Sequence, residues 1–159
     1  MVSEIQTCGY EGLNVRQFVE RLTSAGTETV IDVRANPLSR KPGFSKNALA
    51  KNLVAAGIAY VHVSKMGCPK PVRERYKIDR DWAAYTRGFL AYLSRQGEAV
   101  AEVAAIGARS KSCLVCFEAD FKFCHRTFVA RAASGLAGFQ VVHLMDQTAI
   151  SDQNVLSAA

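Results

Sequence analysis

The chain has 159 residues, a length that fits one ordinary domain. Hydrophobic residues make up 49% of the sequence and charged residues 21%, which is a globular composition with enough apolar side chains for a core. No apolar run approaches the length of a membrane span, and the net charge of +6 favours an anionic partner. Nucleic acid, a phosphorylated small molecule and an anionic protein surface all fit that charge.

Five cysteines lie at positions 8, 68, 113, 116 and 124. Because the count is odd, at least one thiol stays unpaired within a monomer. The N-terminal residues show no basic stretch followed by an apolar run, so no secretory signal is predicted. We therefore expect a cytoplasmic protein with reduced cysteines and no membrane contact.

Only Cys113 and Cys116 have a spacing that resembles a metal site. They fall in a predicted strand, where residues three apart point to opposite faces of the sheet. No second pair at zinc spacing accompanies them. From the sequence we therefore expect no metal and no cofactor.

The first half of the chain alternates strands and helices. Asn14 is a good helix N-cap with Gln17 as its capping-box partner, and Gly26 is the expected C-cap. In chain order the predicted elements are a strand over 4–8, a helix over 15–25, a strand over 29–33, a turn-rich loop, a helix from Ser45 to Gly57 and a strand over 58–63.

The second half begins with a segment, residues 64–80, that is predicted to be a long loop. The elements predicted after it are a helix from Asp81 that Gly97 interrupts, a second helical segment to about Ala108, a strand over 112–117, a helix over 125–133 and a strand over 139–144. The fourth strand is fully apolar, as expected when both faces of a sheet are covered.

This alternation predicts right-handed crossovers and a mostly parallel sheet. The expected fold class is therefore α/β, as a single domain over residues 1–145. We predict a Rossmann-like three-layer sandwich with a five-stranded sheet, followed by a polar C-terminal tail over 146–159.

Candidate site residues follow the second and fourth strands. In open parallel sheets, ligands bind beyond the carboxyl ends of the strands. The loop after the second strand carries Arg34, Ser39, Arg40 and Lys41, and the segment after the fourth carries Glu118, Cys124, His125 and Arg126. Residues 34–46 hold four basic and no acidic residues, and residues 65–80 hold six basic and two acidic ones. This distribution is typical of an electrostatic funnel, although long loops are often charged simply because they are solvated.

The triplet Cys124-His125-Arg126 opens a predicted helix, where unpaired backbone N–H groups and the helix dipole favour negative charge. A thiol there ionises more easily and is a candidate nucleophile, and the same helix end is a candidate anion cradle. The alternative is a small buried structural cysteine. Arg34 is predicted either to pair with Asp32 or to bind an oxyanion, and Glu118 either to pair locally or to move protons.

Three known site patterns are absent from the sequence. It contains no G-x-G-x-x-G and no Walker loop, so neither a dinucleotide site nor a nucleotide-triphosphate site of those kinds is expected. No cysteine is followed by the C-x5-R pattern of cysteine phosphatases, and no serine lies in a G-x-S-x-G elbow.

Four segments of the chain form a specific set of motifs: TCGYEG at 7–12, IDVRANPLSRKPGFS at 31–45, GIAYVHV at 57–63 with the following MGCP, and CLVCFEADFKFCHR at 113–126. In these segments the chain resembles the domain of unknown function 488 (DUF488) family. The resemblance implies an α/β fold with these signatures gathered at one end, and it implies no settled activity. The positions that match the family's motif residues are Arg34, Ser39, Arg40, Phe44, Glu118, Cys124, His125 and Arg126.

Three hypotheses about function follow. The first is a thiol-dependent enzyme on a phosphorylated or otherwise anionic substrate, in which Arg34, Ser39, Arg40 and Arg126 bind the anion and Cys124, His125 and Glu118 do the chemistry. The second is a non-catalytic nucleic-acid-binding protein, with contacts expected from Lys41, Lys70, Arg73 and Arg75. The third is a redox-responsive regulator in which Cys124 pairs with Cys116 or Cys68.

Overall fold

The computed structural model describes residues 4–158 of the chain. Its strands are β1 (Glu4–Gly9), β2 (Thr29–Asp32), β3 (Ala59–His62), β4 (Ser112–Cys116), β5 (Gln140–Leu144) and β6 (Ala149–Ser151). Its α-helices are α1 (Val15–Ser24), α2 (Lys46–Ala55), α3 (Lys70–Asp79), α4 (Trp82–Leu93), α5 (Gly97–Arg109), α6 (His125–Ala137) and α7 (Asp152–Ala158). Across these described residues, no helix has both the length and the apolar character that crossing a bilayer would require.

The strands form one six-stranded sheet in the order β3-β2-β4-β1-β5-β6. The first five strands are parallel, and β6 runs antiparallel to β5 at the edge. The predicted α/β class and mostly parallel sheet are confirmed, but the predicted five strands become six. The extra strand is only three residues long and lacks the apolar run that signals a strand in sequence.

Helices cover both faces of the sheet, which gives the three predicted layers. One core cluster joins α1 and α2 to the sheet through Phe18, Leu22, Leu49 and Leu53. The other joins α4, α5 and α6 to the opposite face through Phe89, Val103 and Val129. Thus β2 leads to a helix on one face and the neighbouring β4 to a helix on the other. The loops after these strands diverge and leave a crevice at the carboxyl edge, where α/β proteins bind ligands.

Residues 64–80, predicted as a loop, are mostly helical. A 3₁₀ turn (Ser64–Met66) is followed by α3, which begins with proline in its first turn and has no buried residue. The helix ends where Arg80 adopts a left-handed conformation, with φ of 52°. The prediction was wrong because α3 packs only Val72 and Tyr76 inward, too few apolar side chains for a recognisable helical period. As a result, the basic residues of this segment lie on a rigid element.

Residues 146–158, predicted as a polar tail, contain β6 and α7. Asp152 is buried at the start of α7, where its carboxylate accepts two hydrogen bonds from Arg131, at 2.8 and 2.9 Å. Nε2 of His143 lies 2.9 Å from Oδ1 of this carboxylate, and Nδ1 of His143 lies 2.7 Å from the hydroxyl oxygen of Thr7. Burial lowers the pKa of His143 and outweighs the opposing effect of Asp152. A buried polar network of this kind depends on distant residues, so the local sequence does not reveal it.

Candidate functional site

A cleft of about 500 Å³ opens at the carboxyl edge of the sheet, between the loop after β2 and helix α3. Its walls carry five cationic side chains, from Arg34, Arg40, Arg73, Lys77 and Arg80. Its other chemically reactive lining residues are Cys68, Cys116, Glu118 and His125. We call this cavity the cationic cleft, because five of its lining side chains are cationic and one, Glu118, is acidic. Two of the cations, Arg34 and Lys77, also pair with carboxylates that do not line the cleft.

Arg34 is held by the protein itself. Its Nε and Nη2 donate to the two oxygens of Asp32, at 2.9 and 2.8 Å. Its Nη1 donates to the hydroxyl of Tyr10 and to the carbonyl of Phe44, at 3.1 and 2.7 Å. The ion pair is buried, and Tyr60 adds a further hydrogen bond of 2.6 Å to Asp32. Arg34 therefore contributes charge to the cleft wall, but most of its donors are already used.

Two histidines fix the backbone that follows β2. His125 contacts the carbonyl of Val33 through Nε2 at 2.8 Å, and His62 contacts the carbonyl of Arg34 through Nε2 at the same distance. A carbonyl only accepts, so each Nε2 carries a proton. His62 thus has a satisfied structural hydrogen bond. The other ring nitrogen of His125, Nδ1, faces the sulfur of Cys116.

Beside the cleft, two thiols, an imidazole and a carboxyl group meet. We call this group the thiol cluster, and it consists of Cys116, Glu118, Cys124 and His125. The Sγ of Cys124 lies 3.4 Å and that of Cys116 lies 3.6 Å from Oε2 of Glu118. The Sγ of Cys116 lies 3.8 Å from Nδ1 of His125. The donor atoms of Cys116, Cys124 and His125 all fall within 4.8 Å of one another.

Burial and mutual contact shift the pKa values in the thiol cluster. Burial opposes ionisation of Cys124, but a hydrogen bond from Cys116 and the charges of Arg126 and His125 hold its pKa well below the usual range. The hydrogen bond to Cys124 and burial raise the pKa of Cys116 well above that range. Burial, reinforced by the negative charge of Cys124, raises the pKa of Glu118 to about 7. Of the two thiols, Cys124 is therefore the one that ionises more readily.

Sequence reasoning gathered Cys124, His125 and Arg126 at one helix start, and the structure buries all three, with His125 only 6% exposed. His125 lines the cleft, whereas Cys124 and Arg126 do not and are only 2% and 1% exposed. Arg126 lies behind the cluster, with Nη1 donating to the carbonyl of Glu118 at 2.6 Å. Its Nε has no hydrogen-bond partner among the described residues. A direct attack by Cys124 on a molecule in the cleft is therefore not supported by the geometry.

The remaining predicted residues divide between the cleft and its surroundings. Ser39, Arg40 and Arg73 line it, and Arg73 is positioned by a hydrogen bond from Nε to the carbonyl of Cys68. Lys41 instead donates to the backbone carbonyls of Tyr10 and Leu13. Lys70 and Arg75 are both exposed and lie outside the cleft. Arg75 forms an ion pair with Asp79.

Comparison with known proteins places the sequence motifs in a family. A family model described as "Domain of unknown function DUF488" matches residues 14–133. The chain belongs to this family. No curated protein and no solved structure matches it. The matched region of this DUF488 protein includes both sides of the cationic cleft and the whole thiol cluster, so the function has to be argued from the chemistry of that site.

Sequence reasoning missed several site residues of this DUF488 protein. Lys77 lies on α3 and Arg80 is its C-cap, and both line the cleft. A segment predicted as a loop gives no basis for assigning these side chains to one face. Cys116 and Cys68, which the sequence analysis named only as disulfide partners of Cys124 in the redox hypothesis, join the cleft lining through tertiary packing. The only available signal for Cys116 was its position opposite Cys113 on the fourth strand, which put it on the face covered by α6.

Proposed function

We propose that this DUF488 protein is an enzyme that binds a small phosphate- or carboxylate-bearing substrate in the cationic cleft and acts on it at the thiol cluster. The observation that carries the proposal is that five cationic side chains surround a cavity whose floor holds Cys116, Glu118 and His125. A positive cleft with low-dielectric walls concentrates anions. Cys116, Glu118 and His125 line the same cavity, so they are within reach of the parts of a bound substrate that the cations do not hold.

The anion-binding groups we assign are Arg40, Arg73 and Arg80. Arg73 uses only Nε for a protein contact, which leaves its two terminal nitrogens for a ligand. Arg80 lies 5.6 Å from the centre of the Tyr76 ring, which positions its guanidinium beside the cleft. Arg34 adds charge from the wall, and Ser39 offers a hydroxyl at the same wall.

Glu118 is the group we assign to proton transfer. Its carboxyl group is half-buried at the cleft floor and contacts the thiols of both Cys116 and Cys124. A carboxyl group that lines a ligand cavity can exchange a proton with a bound molecule. Cys124 contacts Glu118 but does not line the cleft, so in this proposal it influences proton transfer without touching the substrate.

The structure favours a small molecule over nucleic acid. The cleft volume of about 500 Å³ falls within the range of roughly 300–1,000 Å³ that is typical of small-molecule sites. Of the residues expected to contact nucleic acid, Lys41 is turned inward and Arg75 is ion-paired within α3. The neighbouring Lys77 also pairs with Glu74. Of the four residues expected to contact nucleic acid, Lys70 is therefore the one left exposed without an ion-pair partner among the described residues, since Arg73 lines the cleft.

The proposal predicts that cleft arginines control anion affinity. Replacing both Arg73 and Arg80 by glutamine should weaken the binding of inorganic pyrophosphate by about tenfold or more, because charge-assisted hydrogen bonds are lost. Isothermal titration calorimetry measures this directly. Arg75→Gln is the matched control, since Arg75 lies on the same helix but outside the cleft, and it should change the affinity less than twofold.

Three outcomes would contradict the proposal. One is the absence of pyrophosphate binding to the unsubstituted protein, and another is an equal loss in the Arg75→Gln control. The third is salt-sensitive binding of single-stranded DNA that Arg75→Gln weakens more than the double variant does, because that result favours the nucleic-acid hypothesis. Arg34 is unsuitable for this test, since removing it would leave Asp32 unpaired in the core.

A further inference from the structure

We propose that the thiol cluster is a zinc site, with Sγ of Cys116, Sγ of Cys124, Nδ1 of His125 and a carboxylate oxygen of Glu118 as its ligands. This inference stands on the geometry of the cluster alone and does not depend on whether the cationic cleft binds an anion. It also departs from the expectation drawn from the sequence, which considered only Cys113 and Cys116 and found no metal site.

The donor atoms of Cys116, Cys124 and His125 form a close group of three. Glu118, which is outside that group, contacts both sulfurs and would have to shift to become the fourth ligand. Zinc lies about 2.3 Å from thiolate sulfur and about 2.0 Å from imidazole nitrogen or carboxylate oxygen, so neighbouring donors of a tetrahedron are about 3.5–3.8 Å apart. The measured separations are 3.4 Å from Cys124 to Glu118, 3.6 Å from Cys116 to Glu118 and 3.8 Å from Cys116 to His125. Both sulfurs and the imidazole nitrogen lie within 4.8 Å of one another. Small side-chain adjustments would complete the site.

His125 has the orientation expected of a metal ligand. Its Nε2 donates to the carbonyl of Val33 at 2.8 Å, so the neutral ring keeps its lone pair on Nδ1. Metal-binding histidines usually donate their other ring N–H to a carbonyl or carboxylate in this way, which fixes the tautomer. The lone pair of Nδ1 then faces the sulfur of Cys116.

Arg126 supplies the charge that such a site requires. Two thiolates, one carboxylate and a neutral imidazole around Zn²⁺ carry one net negative charge. Arg126 is 1% exposed, and no described carboxylate lies within ion-pair distance of it. A buried guanidinium without a carboxylate partner is costly unless another anion compensates it. A negatively charged zinc centre would do so, and the ionised thiol of Cys124, which raises the pKa of Arg126, does so as well. The buried guanidinium is therefore compatible with the zinc site without requiring it.

The ligand types favour zinc over other common cations. Soft thiolates select zinc, copper(I) or iron–sulfur clusters, whereas magnesium and calcium require oxygen ligands. One imidazole and one carboxylate beside two thiolates fit a single zinc ion. Glu118 lines the cleft together with Cys116 and His125, and its coordination position is the one we expect water or a substrate atom to take, which frees its carboxyl group for the proton transfer assigned to it above.

Cobalt titration tests the site in the full-length protein. Reduced, metal-free protein titrated with Co²⁺ under anaerobic conditions should show thiolate-to-cobalt charge transfer and the intense d–d bands of tetrahedral cobalt, saturating at one equivalent. One equivalent of Zn²⁺ should abolish these bands. Protein purified without chelator should contain one zinc ion per chain by elemental analysis.

Single substitutions assign the ligands. Cys116→Ser and Cys124→Ser should each remove the saturable cobalt bands. Cys113→Ser, three residues earlier on the same strand with its side chain on the other face, should leave the cobalt spectrum unchanged. Circular dichroism identifies any variant that fails to fold, and in that case the zinc content and cobalt spectrum of the unsubstituted protein decide the question.

Two results would overturn the zinc site. The first is the absence of thiolate-to-cobalt absorption in reduced, folded protein. The second is recovery of Cys116 and Cys124 as a disulfide that reforms in air while added zinc gives no protection, which would favour the redox-regulator hypothesis. Neither result affects pyrophosphate binding by Arg73 and Arg80, so failure of the zinc site is distinguishable from failure of the proposed function.

Discussion

Asp32→Ala should cost about 3–5 kcal/mol of the free energy of unfolding, because it leaves the buried guanidinium of Arg34 without its counter-charge. Asp32 is fully buried at the end of β2 and accepts hydrogen bonds from the backbone N–H and side chain of Arg34 and from the hydroxyl of Tyr60. Urea denaturation followed by circular dichroism measures the change. The same substitution should also loosen the cleft wall that Arg34 forms.

Asp146→Ala is the matched control for this substitution. Asp146 also pairs with an arginine, Arg21, at 3.4 Å, but its side chain is 83% exposed. Exposed ion pairs contribute about 0–1 kcal/mol, so this variant should unfold almost as the unsubstituted protein does. A loss below about 1 kcal/mol for Asp32→Ala would show that Arg34 does not depend on Asp32, contrary to the role assigned here.

Gly9→Ala is expected to have the second large effect, because the end of β1 approaches the thiol cluster too closely for a side chain. A Cβ atom at Gly9 would lie 1.8 Å from the carbonyl oxygen of Glu118 and 2.5 Å from its carbonyl carbon. That oxygen accepts the hydrogen bond from Arg126. Overpacking against backbone typically costs about 1–3 kcal/mol, and here it would also displace the residue that lies between the two thiols.

Thermal unfolding and cobalt binding measure the two consequences of Gly9→Ala separately. Gly135→Ala is its control, since Gly135 lies in α6 with no described atom within 4 Å of an added Cβ. Alanine favours the helix there by about 1 kcal/mol, so this variant should be stabilised. Equal stability of the Gly9→Ala and unsubstituted proteins would mean that β1 and the Glu118 loop are not in contact as described.

The alternation of elements could be predicted from sequence because it depends on local signals. The capping box of Asn14 with Gln17 is present, and the apolar strand containing Leu114 is central and buried on both faces. Helix α3 was missed since its sequence is mostly charged and its stability depends on packing Val72 and Tyr76 against α4. Helix propensity and hydrophobic periodicity do not identify a helix that depends on so few apolar contacts.

The candidate site was predicted in part for the same reason. The positions of Arg34, Glu118 and His125 at the carboxyl edge follow from parallel-strand topology, which is a general rule. The contact of His125 with the carbonyl of Val33 and that of Arg73 with the carbonyl of Cys68 depend on tertiary geometry. Sequence spacing does not encode distances of a few ångströms between residues on different elements. The zinc proposal therefore arises from the structure rather than from a motif.

The most direct test of the central claim is a ¹H–¹⁵N nuclear magnetic resonance titration of the protein with inorganic phosphate. If the cationic cleft binds anions, saturable shifts should concentrate in the backbone amides of its lining residues within 34–40 and 73–80. Amides near Arg21, in a separate surface cavity, should stay unchanged. Shifts confined to the region around Arg21, or no saturable shifts at all, would contradict the account.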